Sequence, residues 1–385
     1  MTAGPHVSGG SLPWRRDAEA MRDLVAELCL VPSPSRSERA IADLLTARFN
    51  KLGATVSEDA AATTTVGSAG NLTAVLRGGL PQRVVLAAHM DTVPLVEGEQ
   101  LAVVSDGTVL RSSGRQILGA DDKAGVAIVL ELVERLSHVD ASIRPTVVAV
   151  ITVCEEIGLV GAQALDVDAL AADFGYSFDG EVPVGELITS AVFKEAITLT
   201  VRGRRAHAAL EPEDGIHAIL AAAEVVRGFP LGRTAPDLVA NIGRIGGGGA
   251  TNVVPDEVRL EAEARAFSSQ RLEGLVEDIQ RGGHEAVSRM GASLDVSRRR
   301  LYDGYDLPSD AEPCARLVRT AGRHGVTPRF VSSIGGSDTN VLNQKGLPTV
   351  NVGVNMHAIH SVDEWIDAAD LVTVCDWVTD ALLEG

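Results

Sequence analysis

The chain has 385 residues, with 34 Lys and Arg against 52 Asp and Glu and a formal net charge of −18. At roughly 150 residues per domain, this length suggests two or three domains. Hydrophobic residues make up 45%, ample for a large core, while only 3% are aromatic, so packing must rely on small aliphatic side chains. So acidic a chain repels phosphate backbones and anionic headgroups, which argues against a nucleic-acid binder and against a membrane-surface protein.

Cys29, Cys154, Cys314 and Cys375 lie far apart and form no C-x-x-C pair. That pattern reads as a reduced, cytoplasmic chain. The segment Met1–Pro13 has no apolar h-region and reads as a loose tail rather than a signal peptide. No run reaches the ~18 apolar residues needed to span a bilayer.

In chain order, Met21, Leu24, Val25 and Leu28 recur on one face of an expected helix from about Arg16 to Leu30, stopped by Pro32 and Pro34. Ser35 and Glu38 have capping-box spacing before a second helix through Ala40, Leu44, Leu45 and Phe49, closed by Gly53. Asn71–Leu76 and Val84–Ala88 are extended, and the second is apolar enough to be buried on both faces. A helix over Ala124–Leu136 follows. Then come a buried strand at Thr146–Val153, a short helix at Leu159–Leu165 and a strand at Phe174–Phe178. This alternation predicts an α/β sheet clad by helices on both faces.

Near residue 187 the pattern changes. Strand Ala196–Arg202, helix Gly215–Gly228, strands Val239–Ile245 and Val258–Phe267, helix Arg271–Met290 and strand Ser293–Arg299 give a β-α-β-β-α-β order. That order suits a two-layer, ferredoxin-like α+β domain. After Leu301 the α/β pattern resumes with helix Asp310–His324, strand Thr349–Val354 and helix Asp363–Leu383. The expected organisation is therefore one α/β domain (1–186 and 301–385) interrupted by an inserted domain (187–300).

The residues that carry chemistry follow apolar strands, where open α/β sheets build their sites. In His89-Met90-Asp91, residues i and i+2 point the same way, so His89 can bind a metal while Asp91 fixes its ring. Asp121 and Asp122 stand side by side at a helix start. Asp121 is accounted for as a helix cap, and a second carboxylate could bridge two cations. Glu155 and Glu156 end a strongly apolar strand, an arrangement that suits one metal ligand and one proton acceptor. Asp179 follows Phe174–Phe178, and either His357 or His360 can serve as a ligand after Thr349–Val354. Two histidines and several carboxylates match a dinuclear hydrolytic zinc site. There is no Gly-x-Ser-x-Gly elbow, Walker loop or His-Glu-x-x-His helix, and Gly246–Gly249 lacks the Lys-Ser/Thr of a phosphate loop.

The ordered series His89-x-Asp91, Leu118-Gly-Ala-Asp-Asp-Lys-Ala-Gly125, Glu155-Glu156, Asp179, Gly335-Gly-Ser-Asp-Thr-Asn340 and His360 resembles the co-catalytic zinc exopeptidases and deacylases. Within that family it is most similar to the peptidase T-like branch. The resemblance implies a mixed-sheet catalytic domain with an inserted lid or dimerisation domain, and two Zn²⁺ per subunit, replaceable by Co²⁺ or Mn²⁺. It implies that Asp122 bridges the ions, that His89 and Asp179 complete one, and that Glu156 and His360 complete the other. His360 is favoured over His357 by the Ser361 and Glu364 that follow it. Glu155 would be the general base acting on a metal-activated water, with Asp91 supporting His89. In the inserted domain, Gly203-Arg-Arg-Ala-His207-Ala matches the histidine that reaches the scissile carbonyl. Asn252 and Arg265 match substrate-holding positions. The implied activity is cleavage of short peptides as an aminopeptidase or tripeptidase, with a homodimer through the lid. An N-acyl-amino-acid deacylase or carboxypeptidase is the alternative, and a non-catalytic metal-binding protein is a remote third.

Overall fold

The structure is a computed structural model that describes residues 15–384; the segment Met1–Pro13 lies outside the described residues. The chain divides into two compact units. The first takes the described residues as far as Thr189, then Leu307–Val331, then Ser337 onward; the second takes Ser190–Asp306 with Ser332–Gly336.

The first unit opens with α1 (Ala18–Cys29), α2 (Arg39–Lys51), β1 (Thr55–Glu58), α3 (Ala61–Thr65), β2 (Leu72–Leu76) and β3 (Arg83–His89). A hairpin of β4 (Val103–Asp106) and β5 (Val109–Ser112) precedes α4 (Ala120–Ser137), β6 (Thr146–Thr152), α5 (Val160–Ala164), β7 (Phe174–Gly180) and β8 (Glu186–Ala191). In α1 the expected face Met21, Leu24, Val25 and Leu28 is buried, and the Asp17 side chain caps the helix by accepting from the Ala20 N–H. In α2 the Ser35–Glu38 pattern does not act as a capping box. Glu38 makes no side-chain cap bond there; it accepts from the Arg36 N–H and the Cys154 thiol, while Ser35 Oγ donates to Asp91. Both polar side chains are drawn to buried partners and away from the helix end.

The large sheet runs β1-β2-β6-β3-β7 and then to β16 (Thr349–Gly353, below) and β8. β3 and β6 are buried over all but their first residue, as apolar runs within a covered sheet should be. β6 pairs parallel with β3, β3 with β7, and β7 with β16, while β2 and β8 add antiparallel pairing. The parallel strands therefore end at one edge of the sheet, and the loops that follow them share that edge.

The second unit contains β9 (Phe193–Arg202), α6 (Ala218–Gly228), β10 (Gly232–Ala235), β11 (Leu238–Gly247), β12 (Glu257–Ala266), α7 (Ser269–Ser288), β13 (Ser293–Tyr302) and β14 (Tyr305–Asp306). Its five-stranded sheet has the order β10-β11-β12-β9-β13, antiparallel throughout. β9 alternates strictly, burying Ile197, Leu199 and Val201 against Ala221, Ala222 and Val225 of α6 and Leu272, Val276 and Ile279 of α7. That is the period of a strand with one covered face. The segment Ser332–Gly336 belongs to this unit, although the sequence reading gave it to the other domain. Arg265 Nη1 donates to the Ile334 carbonyl, and Gly336 lies so close to the Tyr302 ring that a Cβ there would collide with it.

The chain then supplies the first unit with α8 (Glu312–Ala321), β15 (Arg329–Ser333, which ends in the second unit), α9 (Asp338–Gln344), β16 (Thr349–Gly353), β17 (Trp365–Asp367) and α10 (Ala368–Leu383). Cys29, Cys154, Cys314 and Cys375 are all buried and unpaired. Among the described residues, no helix is long and apolar enough to cross a membrane.

Candidate metal centre

The polar residues lie at the strand ends of the shared sheet edge and in the loops just beyond them. β3 ends on His89, which pairs with Thr152 at the end of β6; Glu155 and Glu156 come just beyond. Asp179 sits in β7, and the loop after β16 leads to His360. Several residues of these loops have left-handed backbone, among them Cys154 (φ 55°), directly before Glu155, and Asn355 (φ 61°), Ala358 (φ 50°) and His360 (φ 63°) after β16. Strained backbone of this kind gathers at functional sites.

The histidines face carboxylates. His89 Nε2 lies 3.1 Å from Asp121 Oδ1 and 3.8 Å from Asp179 Oδ1. His360 Nε2 lies 2.9 Å from Asp121 Oδ2 and 3.1 Å from Glu156 Oε2. Two overlapping groups result, His89–Asp121–Asp179 and Asp121–Glu156–His360, each with its ligand atoms within 4.8 Å of one another. Asp121 belongs to both, one oxygen to each.

This corrects the expectation for Asp122. At the start of α4, Asp121 and Asp122 have non-helical backbone angles. Asp122 turns inward: Oδ2 accepts from the His89 N–H at 3.2 Å and Oδ1 from the Gly125 N–H at 2.9 Å. A Cβ at position 125 would lie 2.4 Å from that carboxylate, so only glycine lets it seat. The carboxylate that stands between the histidines is Asp121, which the sequence reading had used as a cap. His357 does not join the cluster; its ring stacks on Trp365 at 3.8 Å and 8°.

Asp91, fully buried, is the hub behind the site. Its carboxylate accepts from the Glu155 N–H (2.9 Å), the Glu156 N–H (3.3 Å) and Ser35 Oγ (2.7 Å). One of its oxygens lies 3.5 Å from His89 Nδ1, and its carbonyl lies 3.0 Å from the same atom. The Asp91 carbonyl thus fixes the His89 tautomer so that Nε2 faces the cluster. Residues 33–38 were not linked to the site by sequence, because Ser35 reads equally well as a helix cap.

Burial and crowding shape the charges. Burial pushes the Asp179 carboxyl up to about 7. Burial likewise raises Glu155 and Asp122 well above the carboxylate range, and the charge of Asp179 adds to both. Burial opposes ionisation of Asp121 too, but hydrogen bonds from His360 and His89 outweigh it and hold that carboxyl low. The Asp121 and Glu156 carboxylates lift His360 to about 10. One buried oxygen, Glu156 Oε1, has no hydrogen-bond partner. A crowd of oxygen donors with two imidazole nitrogens, an orphaned oxygen and a shared central carboxylate fits a pair of divalent cations, whose charge would offset the repulsion.

The second unit holds the other three expected residues. His207 is exposed, and its Nδ1 accepts from the N–H groups of Ala209 (3.2 Å) and Leu210 (3.1 Å). With Nδ1 used as an acceptor, the ring's proton is on Nε2, which can serve as a donor. The Asn252 carbonyl accepts from the Ala208 N–H at 3.0 Å, which seats Asn252 beside His207. Arg265 is half-buried and pairs with Glu263 at 2.8 Å. Glu263 is also held by Lys194 at 2.8 Å.

The sequence profile of peptidase family M20/M25/M40 matches residues 85–384. An uncharacterised protein, YqjE of Bacillus subtilis, is 35% identical over 360 residues, covering 93% of this chain and 96% of its own. The crystal structure of aminopeptidase PepT from Bacillus cereus is 34% identical with a TM-score of 0.83, covering 95% of this chain and 98% of that one. A tripeptidase from Staphylococcus aureus is 32% identical with a TM-score of 0.85 and the same coverage. The chain belongs to peptidase family M20/M25/M40, in its peptidase T-like branch, and is a metallopeptidase.

Proposed function

We propose that the protein is an aminopeptidase that cleaves short peptides such as tripeptides, using two Zn²⁺ held by His89, Asp121 and Asp179 on one side and by Asp121, Glu156 and His360 on the other. The observation that carries this reading is Asp121, whose two oxygens lie 3.1 Å from His89 and 2.9 Å from His360. When bound, such ions supply Lewis acidity that lowers the pKa of a water and polarises an amide carbonyl. Glu155 takes the proton from the attacking water and returns it to the leaving amine; burial, which raises its proton affinity, suits it to both steps. Asp91 keeps the base in place through the Glu155 N–H and orients the His89 ring. His207 donates its Nε2–H to the carbonyl oxygen, a contribution of about 3–4 kcal/mol for a well-placed donor. Asn252 and Arg265 hold the substrate's backbone or terminal carboxylate, with Arg265 exchanging part of its Glu263 pairing for it.

A panel of tripeptides, dipeptides and N-acetyl amino acids, assayed with zinc, cobalt and manganese, tests the proposal. Turnover of tripeptides that requires a free α-amino group supports it. Preference for acetylated amino acids assigns the chain to the deacylases, and metal uptake without hydrolysis makes it a binding protein.

A further inference from the structure

Glu364 is a charged residue that the chemistry above does not use, and it is 1% exposed. Its oxygens are both engaged by one short stretch of backbone. Oε2 accepts from the Gly119 N–H at 2.7 Å and Oε1 from the Asp121 N–H at 2.9 Å. These are N–H groups at the start of α4, which no helical carbonyl can satisfy. Gly119, the residue before the helix, has φ 73° and offers no side chain to cap it. The cap therefore comes from elsewhere in the chain.

Glu364 is itself firmly placed. Its N–H donates to the Ser361 carbonyl at 3.3 Å, closing a turn that begins one residue after His360. The next residue, Trp365, exchanges two 3.1 Å backbone hydrogen bonds with His357 and pairs with Arg111 through β17 and β5. One carboxylate thus ties the loop that carries Asp121 to the loop that carries His360.

We propose that Glu364 is a positioning residue for the metal centre: by clamping the Gly119 and Asp121 N–H groups it fixes the turn that aims one Asp121 oxygen at each cation. The inference rests on the metal-centre reading above. The clamp needs two acceptor oxygens at one reach. Gln keeps the shape but presents an NH₂ to one of the N–H groups, and Asp keeps the charge but falls short by a methylene.

The test is cobalt titration of the full chain, stripped of metal, for wild type, Glu364→Gln and Glu364→Asp. Affinity is read by competition with a chromogenic chelator, geometry by the visible d–d absorption of bound Co²⁺, and folding by far-ultraviolet circular dichroism and metal-free melting. Both variants are expected to bind cobalt 10–100-fold more weakly than wild type, with an altered absorption envelope. Affinity and spectrum unchanged in either folded variant, or a lowered metal-free melt with unchanged affinity, assign Glu364 to the scaffold and overturn the proposal. A wild type that takes up no cobalt overturns the metal centre and the clamp together; an unaltered Glu364→Gln overturns the clamp alone.

Discussion

The ion pairs of the second unit and the sheet edge of the first handle charge in opposite ways. In the second unit, Arg202 pairs with Asp295 and Glu257, Arg271 with Asp237, and Arg298 with Glu273 and the buried Glu195. Most of these groups are solvated, and each acid meets a guanidinium. At the sheet edge of the first unit, Asp121, Asp122, Glu155 and Asp338 are 0–8% exposed. The Asp121, Asp122 and Asp338 carboxylates are held by a histidine ring, backbone N–H groups and a threonine hydroxyl, and the Glu155 carboxyl is buried with them. Solvated pairs cost little to form or remove. Buried acids held by such partners are expensive, and a fold tolerates the expense where a cation or a reaction makes use of it.

The largest effect that could break this contrast is at Asp121. Asp121→Asn is expected to abolish binding of both metals and all activity, whereas Asp122→Asn, whose parent oxygens serve backbone N–H groups, keeps measurable metal. Metal content by mass spectrometry separates the two, and equal losses would return the bridging role to an open question between neighbours. Next is Glu155→Gln, expected to keep both metals and lose about 10²–10⁴-fold in kcat. Substantial residual turnover removes Glu155 from the base role.

A third effect is thermal. Burial puts the Asp179 carboxyl at about 7 and the Asp338 carboxyl at about 6, against roughly 3.9 in the unfolded chain. The folded chain then holds these protons longer than the unfolded one, so the metal-free fold is favoured at low pH and loses stability as pH rises from about 4 to about 7. The raised imidazole of His360 acts in the same direction, its contribution fading as pH climbs from about 6.5 towards about 10. Bound cations reverse the repulsion, so the melting-temperature gap between zinc-loaded and chelated protein widens with pH. Equal melting temperatures at every pH would contradict it. The smallest effect belongs to the second unit: Arg202→Gln is expected to leave the unfolding free energy almost unchanged. A clear loss in denaturant melts would show that its surface pairs are more than solvated contacts.

Much of the fold could be read directly. The apolar runs of β3 and β6 announce buried strands, and the alternation in β9 announces a strand with one covered face. The elements that escaped notice were short: β1, α3, the β4–β5 hairpin, β8, β10, β14, β15, α9 and β17 hold too few residues for a period to emerge. At the candidate metal centre, the residues that follow His360 favour it over His357; in the fold His360 faces Asp121 and Glu156, while the His357 ring stacks on Trp365.

Which residue types gather at the sheet edge was determined by the sequence alone, because parallel strands written as apolar runs must end together and the polar residues after them must meet. The choice between Asp121 and Asp122 was left to tertiary structure. The two acids are chemically alike and adjacent, and their roles diverge only because a non-helical turn, seated against Gly125 and held by Glu364, sends one carboxylate to the histidines and the other to the backbone. That orientation is a property of contacts between residues 119–125, 89 and 364, and no local pattern encodes it.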